Sequence, residues 1–247
     1  MKKLLLSAGV LLLATGAFAQ TTMSGSSARF GLKAGVNLAR FHASNTSGSS
    51  TYNDNVKDNV GFNVTAFGDF GVSNNFFIQP GVSFQNKGAK FQSTDVITLG
   101  NTTTTTVAEN KTSLMNIEVP VNAVFRIPTG DVGAIQVSAG PYVGFNISGK
   151  NKLEGTTTTR NNTTGATATS NSSTENDLSF GSASNKNYSS TEFGANFGLA
   201  YRFTNGFQFG ANYGLGLSNL IPKDNRSNAG DAKLSNRVLG FTIGYSL

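Results

Sequence analysis

Apolar and polar residues alternate one by one along most of this chain. In "FGLKAGVNLARF" (30–41), Phe30, Leu32, Ala34, Val36 and Leu38 fall on one side, with Gly31, Lys33, Gly35 and Asn37 on the other. A period of two marks a β-strand whose faces meet unlike surroundings. The pattern recurs at 60–71, 75–88, 113–130, 133–148, 191–203, 206–219 and 236–247, which predicts about eight strands and almost no helix. The links between them also alternate. Tight turns are expected at 72–75, 128–131 and 204–206, and long links at 42–59, 88–111, 149–190 and 220–235. Short turns at one end and long loops at the other describe an up-and-down barrel of the outer-membrane type, with both termini on the short-turn, periplasmic side.

The choice between a membrane barrel and a water-soluble one turns on which face carries charge. A soluble barrel keeps its apolar residues inside and a charged surface outside. Here the polar faces are mostly Gly, Ser, Asn and Thr, which suit a narrow lumen. The apolar faces, such as Phe193, Ala195, Phe197, Leu199, Tyr201 and Phe203, carry no charge. A charge at the bilayer midplane costs about 2–4 kcal/mol, so its absence fits a lipid face. Aromatic residues gather at two levels, Phe30, Phe70, Phe76, Phe125, Phe203, Phe207 and Tyr245 near one rim, and Phe62, Phe84, Phe145 and Phe193 near the other. Such girdles mark membrane interfaces. The expected fold class is therefore all-β: a closed antiparallel transmembrane β-barrel of about eight strands, with long extracellular loops and short periplasmic turns.

Composition agrees with this. Charged residues make up 13% of the chain, against about 25% in soluble domains. The first residues, "MKKLLLSAGVLLLATGAFAQ", place two lysines before an apolar run and a small-x-small site after Ala19. This is the secretory signal pattern, and the run is shorter than a spanning helix needs. The expected organisation is a signal peptide at 1–19, a short periplasmic segment at 20–29 and the barrel at 30–247. The formal charge is +6, or +4 without Lys2 and Lys3. Those charges are scattered and no aromatic–basic module accompanies them, so nucleic acid is not an expected partner. The loops "TTTTT" (102–106) and "TTTTRNNTTGATATSNSSTEND" (156–177) offer little to bury, a composition that favours mobility.

Several segments, "FIQPGVSFQNKGAKF", "NIEVPVNAVFRI", "VSAGPYVGFNISG", "FGLAYRF" and "NYGLGLSNL", resemble the PorT-like outer-membrane β-barrel family of Bacteroidetes. The resemblance runs from about residue 30 to the C-terminus. Asn116 stands where the family commonly has an aromatic, and Leu247 where many outer-membrane barrels end in Phe. The resemblance implies the fold and the location in the outer membrane, and it admits an accessory role in secretion.

Signals for catalysis are thin. There is no Cys, and His42 is the only His. Ser44, Asp54 and Asp58 lie near it in sequence, but the spacing fixes no triad. The glycines of "GFQFGANYGLG" continue a strand and do not open a helix, as a phosphate-binding loop must. "YNDNVKDN" lacks the ligand alternation of a calcium loop. No enzyme, cofactor or metal site is expected, and the expected role is structural or interactive in the cell envelope, with an occluded polar lumen. The alternatives are an outer-membrane lipid-modifying enzyme acting through His42, or a narrow pore.

Two groups of charges remain. By alternation Lys33, Asp69, Glu118, Arg126 and Arg202 face the lumen, where buried charges must be paired. Asp69 and Glu118 are expected to be counterions to the basic set, with Arg126 and Lys33 among the candidate partners of Glu118. Arg40, Lys87, Lys111, Lys150 and Arg237 lie near the outer strand ends, where they are candidate contacts for lipopolysaccharide phosphates. Pro80, Pro120 and Pro141 remove ladder donors in a barrel with no free edge, so bulges that slip the alternation are expected around them.

Overall fold

The computed structural model describes residues 28–45, 48–226 and 232–247. The expected signal peptide and residues 20–27 of the segment after it lie outside this range. Nine strands form: β1 (Arg29–Ser44), β2 (Val56–Gly71), β3 (Phe76–Leu99), β4 (Thr102–Pro128), β5 (Gly133–Asn161), β6 (Thr167–Asp177), β7 (Thr191–Phe203), β8 (Phe207–Gly216) and β9 (Lys233–Ser246). One short helix, α1 (Ser49–Asn55), precedes β2. Eight strands close an antiparallel ring, because β1 pairs with both β2 and β9, and β4 pairs with both β3 and β5. The ninth, β6, pairs with the upper part of β5 outside the ring.

The three tight turns lie at one end. Their backbones close through Val72 N–H to Phe76 O (2.8 Å), Thr129 N–H to Gly133 O (2.9 Å) and Gly206 N–H to Phe203 O (3.1 Å). At the other end, two of the long links depart from the mobile loops expected of their composition. β3, β4 and β5 run 24, 27 and 29 residues, far beyond the ~9–11 that cross a bilayer. With β6 they form a four-stranded sheet that projects past the ring. The cause is threonine's β-branch, which favours extended backbone. Facing hydroxyls add cross-strand contacts, such as Thr98 Oγ1 to Thr103 Oγ1 at 3.1 Å and Thr158 Oγ1 to Thr169 Oγ1 at 3.3 Å. Gly100, at φ +56°, makes the two-residue turn between β3 and β4.

Alternation sets the faces of the ring. Along β4, Asn116, Glu118, Pro120, Val124 and Arg126 are buried inside, while Val119, Val121, Phe125 and Ile127 are exposed outside. Ile243 is 73% exposed and Leu199 60%. A continuous apolar belt this exposed does not suit water; it suits lipid. The prolines do not slip the pattern. Ladder pairing lapses beside them, but the register between β4 and β5 is the same on both sides of Pro120 and Pro141. The shift in that pair lies instead at Met115/Asn116, opposite Ile147, and a second bulge lies between Asp58 and Asn63 in β2.

Candidate functional site

The lumen is the candidate site, and its side chains fall into three levels. Nearest the tight turns, Arg126 Nη2 donates to Asp69 Oδ2 at 2.5 Å, and its guanidinium lies 3.8 Å from the centre of the Phe77 ring. With its amide oxygen turned toward Arg126, Gln136 accepts from Nε at 2.7 Å. Lys33 Nζ donates to Gln79 Oε1 at 2.9 Å and lies over Phe67, while Arg202 Nε donates to Ser246 Oγ at 2.9 Å. Among the described residues neither Lys33 nor Arg202 has an ion-pair partner within 4.0 Å.

At mid-height, Lys87 is buried between two carboxylates. Its Nζ donates to Glu118 Oε2 at 2.8 Å and also to Glu192 Oε1. Asn196 donates to the other oxygen of Glu118 at 3.0 Å, and Asn236 to the other oxygen of Glu192 at 2.6 Å. The ring of Tyr142 covers the ammonium at 4.8 Å. Amides fill the space around this group, with Asn63 bonded to Asn37 at 2.7 Å and Asn116 to Asn146 at 3.0 Å. A cavity of about 100 Å³ remains between the two charged levels, bordered by Lys33, Asn122, Gln208 and Glu118. It has room for a few waters.

The loop end of the lumen is apolar. Phe41, Val56, Ala89, Leu114 and Leu220 form a buried cluster, with Tyr52, Leu178, Phe180, Tyr188 and Leu234 packed on it. Burial pushes the Tyr52 phenol up to about 12. The segment 178–190 is tied into the mouth by Leu178 N–H to Gly149 O (2.9 Å), Ser189 N–H to Leu220 O (2.8 Å) and Asn146 Nδ2 to Ser189 O (3.0 Å).

Two expectations about these charges need correction. Glu118 pairs with Lys87, not with Arg126 or Lys33. Lys87 in turn is no contact for lipid phosphate, because it points inward, with its side chain only 2% exposed. Its strand runs on well past Lys87 instead of ending beside it. Sequence reasoning missed Glu192, although it lies inside the expected strand 191–203, which is β7, and shares the parity of Gly194, Asn196 and Gly198, the signal that places it in the lumen.

The remaining outer residues face away from the lumen. Arg40 grips Asp58 with two bonds, at 2.7 and 3.0 Å, and stands opposite Arg237 in register. Arg237 donates to Gly216 O at 2.9 Å. Lys150 pairs with Glu175 at 2.5 Å in an exposed bridge, which holds the Glu175 carboxyl below its ordinary range. Lys111 lies on β4 opposite Lys90 and Lys152. His42 sits opposite Ser235, and the nearby Asp58 is engaged by Arg40.

A sequence model described as "Outer membrane protein beta-barrel domain" matches residues 18–222. The chain belongs to this outer-membrane β-barrel family. Among solved structures it is similar to Ail, the attachment invasion locus protein of Yersinia pestis, at 13% identity and a TM-score of 0.37, over 90% of this chain and 99% of that one. It is also similar to Neisserial surface protein A at 12% identity and a TM-score of 0.32, over 91% of this chain and 99% of that one. None of the curated proteins matches the sequence. The barrel is thus an integral outer-membrane protein, and its exposed apolar belt is the surface that meets lipid.

Proposed function

We propose that this barrel is a non-enzymatic structural and interaction protein of the cell envelope, closed to solute flow, whose projecting sheet faces the exterior. Both termini then lie in the periplasm, and residues 1–19 are removed on export. The carrying observation is the stacking of two barriers in one lumen, the Lys87–Glu118–Glu192 group below and the apolar mouth cluster above. An eight-stranded ring encloses little more than side-chain space, and here side chains occupy most of it.

The motifs of PorT-like barrels in Bacteroidetes support a place in that branch of the family, and with it an accessory role in secretion or surface binding. Lipopolysaccharide is the proposed lipid partner, with Arg40, Lys111, Lys150 and Arg237 reaching its phosphates. Reconstitution into a planar bilayer tests closure. The expected record shows no large, stable single-channel steps; such steps would instead establish a narrow pore.

A further inference from the structure

One rung of the barrel wall carries four lysines side by side. Lys57 on β2 pairs with Lys90 on β3, Lys90 with Lys111 on β4, and Lys111 with Lys152 on β5. Partners across a ladder share a face, and this face is the outer one. Val56, Ala89 and Thr112, the neighbours of the first three, are buried within the mouth. Asn151, beside Lys152, likewise turns inward to Thr112 at 3.1 Å. Strands about 4.8 Å apart make this a row roughly 14 Å long. Like charges directly opposite each other destabilise a sheet, so the row carries a cost that an anion would remove.

The acids that form ion pairs with the row lie on one side of it. Glu109 and Glu154 occupy the next rung toward the tip of the sheet, where they meet Lys90 at 3.5 Å and Lys152 at 2.8 Å. Glu175 ends the row on β6. The rung on the ring side holds Gly88, Ser113 and Lys150, with Asp177 beyond them on β6 and, on β2, Asp58, which Arg40 already neutralises. Among the described residues Lys57 and Lys111 have no ion-pair partner within 4.0 Å. The uncompensated charge is therefore directed back toward the apolar belt, over a stretch where Gly88 and Ser113 leave space.

Height selects the ligand. The row begins three residues beyond the exposed Val60 on β2, and lies five or six beyond Ile147 on β5 and Phe84 on β3. That is roughly 10–20 Å along strands of ~3.3 Å rise per residue, which lean by about 40°. A row at this level stands above simple headgroups and beside a layer of phosphorylated sugars. We infer that Lys57, Lys90, Lys111 and Lys152 form a docking strip for the phosphate groups of lipopolysaccharide in the outer leaflet. The inference rests on the orientation proposed above, with the projecting sheet on the exterior, and it adds Lys57, Lys90 and Lys152 to the one residue of the row already named.

The test uses the full barrel folded into neutral phospholipid vesicles, probed with lipopolysaccharide and with the same lipopolysaccharide after enzymatic dephosphorylation. In the unaltered protein, phosphorylated lipopolysaccharide is expected to protect Lys57 and Lys111 from an amine-reactive label, and salt to abolish the protection. The variant K57Q/K111Q should bind about tenfold more weakly, while the charge-matched R160Q/K223Q stays within about twofold of the original. Equal labelling with and without lipopolysaccharide, or equal losses in the two variants, would overturn the strip. Protection by a soluble sulfated polysaccharide but not by lipopolysaccharide would overturn the lipid source. A barrel that never folds into vesicles would instead refute the membrane reading itself.

Discussion

Replacing Lys87 with Met is expected to cost about 3–5 kcal/mol of stability, the usual penalty for leaving buried charge uncompensated. Without the ammonium, Glu118 and Glu192 share one enclosed level of the lumen where, among the described residues, only Asn196 and Asn236 donate to them. Urea unfolding of the barrel in detergent, followed by the mobility difference between folded and unfolded forms on a gel, gives the measurement. The triple change K87M/E118Q/E192Q separates charge from packing. Glutamine oxygens can still accept from the two asparagines, so most of the lost stability should return. K87M as stable as the original would mean that the mid-lumen group contributes nothing.

Leu114→Ala comes next in size. Leu114 is wholly buried at the centre of the mouth cluster, and truncating such a leucine costs about 2–5 kcal/mol. The loss should be felt first by the segment 178–190, because Phe180 and Tyr188 pack on the same cluster. Trypsin cleavage at Lys186 is the sensitive readout. A local loss of 2 kcal/mol should raise the open population, and so the cleavage rate, about 30-fold. An unchanged rate, with unchanged urea unfolding, would show that the mouth is held by its backbone bonds alone.

How far the sequence announced this architecture depends on the residue chosen. The two faces of β4 follow from alternation, because a period of two survives as long as the register does, and the register survives Pro120. Lys87 and Glu192 obey the same rule. Lys87 lies one residue from the expected end of its strand at 88, whereas β3 runs on to Leu99. Glu192 is the second residue of a strand whose bounds, 191–203, are as expected. Their partnership across the lumen could not be read in any case. Barrel curvature brings together side chains 105 positions apart, and no local pattern records that distance. The threonine tracts failed for a different reason. Their polarity predicts mobility, whereas their β-branching predicts strand, and in neighbouring hairpins the second tendency prevailed. The lysine row escaped notice because it exists only in the register of four strands, each contributing one residue.

The two faces of β4 carry the central claim that the exposed apolar belt meets lipid while a filled polar lumen lies behind it. The chain has no Cys, so single cysteines can be placed in turn from 116 to 126, labelled with a fluorophore, and exposed to a quencher carried in the lipid tails. Strong quenching is expected at 117, 119, 121, 123 and 125 and weak quenching at 116, 118, 120, 122, 124 and 126, with no change of phase at Pro120. Quenching at the even positions, or at all positions alike, would contradict it.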